Sequence, residues 1–161
     1  MGQILSFGRF AQPWPDRAAG LDAATDFVLM TCLRPWVAAV RDKLDPLPAV
    51  LTAIAEAGGP EEAGLSAHAL MHGVAMQAVR VVDVGCPHCA RLTGDEALLL
   101  YAVTEAAFGV DHPAEALAAF MHEPALAYLD PPLIGLARRL DAAGWRFRRR
   151  RRPEGRAPDL H

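Results

Sequence analysis

This chain of 161 residues consists largely of alanine-rich stretches, which glycine and proline interrupt at intervals. That pattern restricts the chain to a mainly helical fold. Alanine has the lowest backbone cost in a helix, whereas the β-branched and aromatic residues that favour strands are scarce. Hydrophobic residues make up 52% of the chain, enough to build the core of one domain of this length. The composition therefore predicts a single all-α domain.

Apolar residues recur at three-and-four spacing between these breaks, which predicts a compact bundle of five to six helices. In order, the predicted helices begin near residues 16–21, 46, 61–66, 94, 112 and 131. Pro35 should end or kink the first helix, because proline lacks an N–H and clashes with the preceding turn. Thr93 and Glu96 form the pattern of a capping box, which fixes the start of the helix running to Phe108.

Residues 79–84 contain four valines and are the only segment that favours a strand. The alternating residues 145–148 could pair with it, so we expect at most one short two-stranded hairpin. Residues 1–16 are predicted to be irregular because Gly8, Pro13 and Pro15 interrupt them. We expect a single helical domain over residues 17–148 and a disordered, arginine-rich tail over residues 149–161.

The N-terminal residues lack a secretory pattern, and the apolar stretches are shorter than the roughly 20 residues that cross a bilayer. We therefore expect a cytoplasmic protein without a transmembrane segment. The chain has three cysteines, an odd number. Without a secretory context, free thiols or metal ligands are better expectations than a disulfide framework.

Two of these cysteines form the motif Cys86-Pro87-His88-Cys89, in which both sulfurs can point to one centre. One interpretation is a structural zinc site, which needs four ligands. His68 and His72 lie four residues apart on one helix face and could complete the set. Alternatively, two copies of the chain could share a four-cysteine site, which would make the protein a homodimer.

A second interpretation is thiol–disulfide exchange. The residues Cys86-Pro87-His88-Cys89 resemble the active-site tetrapeptide of the DsbA-type disulfide oxidoreductases. That resemblance implies Cys86 as the attacking thiolate, Cys89 as the resolving thiol and a thioredoxin fold. The early βαβ unit of that fold is not evident here, because the motif follows a long helical stretch. The third interpretation is a pair of small, inert residues at a tight turn.

The C-terminal arginines form the other notable pattern. From Trp145 onward the chain carries seven arginines and two acidic residues, a net charge of +5, whereas the preceding residues carry a net −8. Guanidinium groups match phosphate geometry, so the run predicts weakly specific binding to nucleic acid or an anionic membrane. The candidate residues are Arg146, Arg148, Arg149, Arg150, Arg151 and Arg152.

No catalytic constellation is evident, and Asp95, Glu96 and Glu105 are interpreted as a helix cap and a solvated face. The favoured hypothesis is therefore a small non-enzymatic binding or adaptor protein that contacts a protein partner or itself. Zinc at Cys86 and Cys89 is its one candidate cofactor. A thiol–disulfide redox protein and a nucleic-acid-associated protein are the alternatives.

Overall fold

The computed structural model describes residues 11–154, within which five α-helices and two short 3-10 helices surround one hydrophobic core. The 3-10 helices are Ala18–Gly20 and Pro113–Leu117. The α-helices are α1 Ala23–Arg41, α2 Pro46–Glu56, α3 Ala63–Gln77, α4 Gly94–Ala107 and α5 Glu123–Ala142. The predicted all-α class is confirmed. Of the segment predicted to be irregular, residues 1–10 lie outside the described part of the chain.

Helix α1 changes its winding in the middle. It begins as an α-helix capped by the Asp22 carboxylate and continues through the π-helical turn Val28–Leu33. It then resumes as an α-helix at Arg34, whose N–H bonds to Leu29 O, five residues back. Pro35 therefore does not end the helix, because the wider turn shifts the hydrogen-bond register just before the residue that has no N–H.

By length and composition, α1 is apolar enough to cross a membrane. Most of its apolar window is buried inside the protein, however, and core helices of globular domains pass the same test. Val28, Leu29 and Leu33 are all fully buried among residues of the other helices. This helix is therefore only weak evidence for a membrane span.

Helix α5 differs from the prediction at its start. It begins at Glu123, so that Pro131, which was expected to open it, lies inside it together with Pro132. The Asp130 carboxylate does not cap the helix and instead accepts a hydrogen bond of 2.9 Å from the Ala114 N–H. The helix predicted before it is reduced to the 3-10 turn Pro113–Leu117.

The strand predicted over residues 79–84 is wrong. Within residues 11–154 there is no strand, and the segment is extended coil joined to its surroundings mainly by side chains. An isolated bridge at its start pairs Ala78 with Met121. Residues 145–148, the expected partner, follow α5 instead, where the Trp145 N–H bonds to Leu140 O.

The core forms where α5 packs against α3 and α4, while α1 packs against α2. The largest completely buried apolar side chains of this core include Phe120, Leu29, Leu70, Leu99 and Leu136. Fully burying one side chain of this kind contributes about 1.5–3 kcal/mol to folding. The long connection from α3 to α4 lies at the edge of this core and carries the cysteine motif.

Candidate functional site: a braced cysteine loop

We define the cysteine loop as residues 78–93, which connect α3 to α4. At its tip Cys86 and Cys89 form a disulfide, with their Cα atoms 5.1 Å apart. The Cys89 N–H donates to Cys86 O at 3.1 Å, which closes a tight turn. The Cys86 N–H donates to Cys89 Sγ at 3.1 Å. Cys86 and His88 are exposed, whereas Cys89 is half-buried, so the two cysteines differ in exposure.

A buried carboxylate beneath the loop holds its main chain from the α4 side. Both oxygens of Glu96 are used: Oε1 accepts from the Gly85 N–H at 2.8 Å, and Oε2 accepts from the Thr93 N–H at 2.9 Å. The Thr93 hydroxyl in turn accepts from the Glu96 N–H at 3.0 Å, which confirms the predicted capping box. The helix cap and the loop anchor are thus the same carboxylate.

A buried guanidinium holds the loop from the α1 side. Arg34 donates through Nη1 to Cys89 O at 2.6 Å and through Nη2 to Arg91 O at 2.9 Å. Its Nε donates to Glu96 Oε1 at 2.8 Å, and the two side chains are 1% and 0% exposed. Because a buried charge is costly unless it is paired and hydrogen-bonded, this ion pair fixes both ends of the cysteine turn in one geometry.

A second, shallower ion pair holds the earlier part of the loop. Arg80 binds Asp95 through two hydrogen bonds of 2.7 and 2.8 Å, and the Asp83 N–H donates to the same carboxylate at 2.7 Å. Burial alone would raise the pKa of Asp95, but these hydrogen bonds outweigh burial and hold the pKa below its ordinary value. Arg41 adds a hydrogen bond of 2.9 Å to Val84 O.

Gly85 lets the loop come this close to the ion pair. A Cβ atom there would lie 3.1 Å from Arg34 Nη2 and 3.2 Å from Glu96 Oε1. A side chain there would therefore press on two buried charged groups, which would have to shift by a few tenths of an ångström. The glycine is a packing requirement at the entry to the cysteine turn.

The interpretation of Asp95 and Glu96 as a cap beside a solvated face is only half right. Glu96 does form the cap, but both side chains are buried and bind the loop. The signal that could have revealed this is Arg34, a single cation within an apolar helical stretch of the sequence. Such a residue needs a buried partner, although the sequence does not say which acid provides it.

The structure does not bring the candidate metal ligands together. His68 Nδ1 accepts a hydrogen bond of 3.0 Å from Trp36 Nε1, and its ring stacks on the exposed His72 at 5.9 Å. Among residues 11–154, no group of three or more histidine, cysteine or acidic side chains is placed to hold a metal ion. Within one chain, the described part therefore offers two sulfurs and no further ligand beside them.

The third cysteine, Cys32, lies in the π-helical turn of α1 and is completely buried. Burial raises the pKa of its thiol to about 12. Since the thiolate is the reactive form, Cys32 is protected from alkylation and oxidation in the folded protein.

The candidate anion-binding arginines fall into two kinds. Arg150 is buried, binds Asp22 at 3.3 Å and Pro13 O at 2.9 Å, and thus serves the fold. Arg146 is exposed and pairs with Asp141. The remaining four are exposed and form no ion pair with the described residues: Arg148, Arg149, Arg151 and Arg152. Of the tail predicted to be disordered, residues 149–154 belong to the described part of the chain and residues 155–161 lie outside it.

No protein-family model, curated protein or solved structure matches this chain.

Proposed function

We propose that the protein acts by reversible thiol–disulfide exchange at Cys86 and Cys89, with the helical domain as the scaffold that presents this pair. The observation that carries the proposal is a cysteine pair at bonding distance in an exposed turn. The main chain of that turn is held by Arg34 and Glu96, and neither of these contacts uses a sulfur atom.

A purely structural role for the disulfide is less well supported. A ring closed by two cysteines three residues apart constrains few residues, so the chain-entropy relation gives it only about 2 kcal/mol. The buried ion pair and its hydrogen bonds already fix the same turn. The bond therefore adds little that the fold lacks, whereas its exposure gives external thiols access to it.

We assign the roles of the two cysteines from their difference in exposure. In the reduced protein, the exposed Cys86 thiolate attacks a disulfide of the substrate, forms a mixed disulfide and releases one substrate thiolate. The half-buried Cys89 thiolate then attacks Cys86 Sγ and releases the second substrate thiolate, and both leaving groups take up a proton. The substrate disulfide is reduced by two electrons as the Cys86–Cys89 bond forms.

The reverse reaction starts with attack of an external thiolate on Cys86 Sγ, and Cys89 is the leaving group. The Cys86 N–H, 3.1 Å from Cys89 Sγ, donates to that sulfur and stabilises its negative charge. A better leaving group leaves faster, so this hydrogen bond favours attack at Cys86.

The test compares the Cys86→Ser and Cys89→Ser proteins, both in a Cys32→Ala background, after incubation with oxidised glutathione. We expect Cys86, left single by Cys89→Ser, to form the mixed disulfide about tenfold faster than the half-buried Cys89 left by Cys86→Ser. Mass spectrometry measures both rates. Equal rates, both as slow as in the unfolded protein, would contradict the proposal.

A zinc site shared between two copies is the second candidate, since an exposed turn leaves both thiolates accessible to a partner copy. The measurement is the metal content of reduced protein purified without chelator. About half a zinc per chain, lost in the Cys86→Ser/Cys89→Ser protein together with dimerisation, would replace exchange by a metal-bridged binding function.

A further inference from the structure

The C-terminal segment is built into the fold by its aromatic residues. The Trp145 ring packs on Phe27 with centroids 4.4 Å apart, and Phe147 is half-buried against the core. Arg146 and Arg148, which flank Phe147, are exposed.

Arg150 then fastens the segment to the residues that precede α1. Its guanidinium is buried beside Asp22 and packs over the Trp14 ring at 5.3 Å. The Arg151 N–H donates to Gln12 O at 3.0 Å, and Trp14 Nε1 donates to Arg151 O at 2.8 Å. The backbone that carries the neighbouring arginines is therefore fixed on both sides of Arg150.

We define the arginine ribbon as Arg148, Arg149, Arg151 and Arg152, which are all exposed. No carboxylate among residues 11–154 forms an ion pair with them. Arg149 lies over the Phe108 ring at 5.2 Å, which holds one guanidinium in place while leaving its N–H groups available. The ribbon is a group of four cations on a backbone held at Arg150 and Arg151.

We infer that the arginine ribbon binds the phosphate backbone of duplex nucleic acid without reading its sequence. Guanidinium groups bind phosphate oxygens bidentately, and duplex DNA carries one negative charge per about 1.7 Å of its axis. The four arginines lie within residues 148–152, so together they can reach several adjacent phosphates. This function is independent of the proposed chemistry at the cysteine loop.

The aromatic residues decide between duplex, single strand and membrane. Single-strand binding relies on exposed rings that stack on bases, and interfacial membrane binding relies on aromatic residues that enter the lipid. Trp145 and Phe147 are half-buried against the core, and Phe108, although 43% exposed, has the Arg149 guanidinium over its ring. The ribbon therefore offers four cations, while each nearby ring already contacts the core or a guanidinium, which suits a phosphate backbone of high charge density.

The test measures binding of a fluorescent 20-base-pair duplex to the full chain between 50 and 200 mM salt. With four phosphate contacts, the slope of log K against log salt should be about −3.6, a loss of about 150-fold over this range. The slope should become less steep by about two in each of two double variants, Arg148→Gln/Arg149→Gln and Arg151→Gln/Arg152→Gln.

The matched control is Arg138→Gln/Arg139→Gln, which removes two adjacent exposed arginines from α5. It should leave the slope of the unmodified protein unchanged. An equal loss in the control would mean that overall charge, and not the ribbon, drives binding. No duplex binding at 50 mM salt, or binding only to vesicles containing phosphatidylserine, would overturn the inference; circular dichroism confirms that each variant is folded.

Discussion

At the scale of single residues, the cysteine loop depends on Arg34, whose planar guanidinium serves three acceptors at once. A lysine retains the charge but lacks the planar group with N–H donors in several fixed directions. Cys89 O, Arg91 O and Glu96 could then no longer all be hydrogen-bonded. We expect Arg34→Lys to lower the free energy of unfolding by about 3 kcal/mol. Urea denaturation measures the change.

The control for that substitution is Arg41→Lys, because the exposed Arg41 makes a single hydrogen bond to the same loop, at Val84 O. It should cost less than about 1 kcal/mol. Equal losses in the two variants would show that the fork geometry of Arg34 is unimportant.

The pH dependence of stability should reveal the Asp95 ion pair. Because hydrogen bonds hold the pKa of Asp95 below its ordinary value in the folded protein, its contribution is complete above about pH 4. That contribution is lost as the pH falls through the lowered pKa. We therefore expect Asp95→Asn to cost about 2 kcal/mol at pH 7 and progressively less below pH 4.

Denaturation curves between pH 7 and pH 2.5 measure this difference. Asp42→Asn is the control, because Asp42 is exposed and its side chain makes no hydrogen bond to any residue from 11 to 154. A cost of Asp95→Asn that stayed constant with pH would mean that the pKa of Asp95 is the same in the folded and the unfolded protein.

The sequence predicts local features of this site better than its long-range pairs. The capping box of Thr93 and Glu96 lies within four residues and follows a known pattern, so it could be predicted. The pairing of Arg34 with Glu96 joins residues 62 positions apart and depends on how α1 packs beside α4. No local pattern specifies that pairing.

At the scale of helices, the π-helical turn decides where Arg34 points. A π-turn takes up one more residue per hydrogen-bonded ring than an α-helical turn, which rotates all later side chains about the helix axis. Arg34 is the first residue after the turn Val28–Leu33 and faces the loop. The apolar spacing in the sequence reads as one ordinary helix and therefore does not show this change of winding.

Helix α5 also differs from its prediction, since a proline was expected to start it and instead lies within it. Pro131 is exposed, so the Ala127 carbonyl that lacks its N–H partner can be hydrated. We expect Pro131→Ala to restore that hydrogen bond and raise the free energy of unfolding by about 1–2 kcal/mol.

Pro124→Ala in the same helix is the matched control. Pro124 lies in the first turn, where no intrahelical partner is lost, so its replacement should give no gain. Thermal unfolding of the two variants separates these effects, and an equal change in both would show that only unfolded-chain entropy is altered.

At the scale of the whole molecule, the two ends of the described chain are tied together by Arg150 and Asp22, 128 residues apart. Replacing Arg150 leaves the buried Asp22 carboxylate without its ion-pair partner. We expect Arg150→Gln to cost about 3 kcal/mol, whereas Arg149→Gln, on the exposed side, should change stability by less than about 0.5 kcal/mol. Chemical denaturation of the two neighbouring variants measures the contrast.

This tie also shows what a composition-based prediction leaves out for residues 149–154, the described part of the segment expected to be disordered. A run of arginines has the composition of a disordered segment, and five of the six from Arg146 to Arg152 are indeed exposed. A single member that finds a buried carboxylate is enough to order its neighbours. Composition cannot show that the arginines of one run have different roles.

The bracing of the cysteine loop has a consequence for how its oxidation state can be sensed. Arg34 and Glu96 hold the main chain on both sides of the cysteine turn, so we expect the backbone to keep its position when the disulfide opens. Oxidation then alters the reactivity of two sulfur atoms and leaves the contour of the surface unchanged. A partner that distinguishes the two states must therefore touch the sulfurs themselves, since no change of shape reports the difference at a distance.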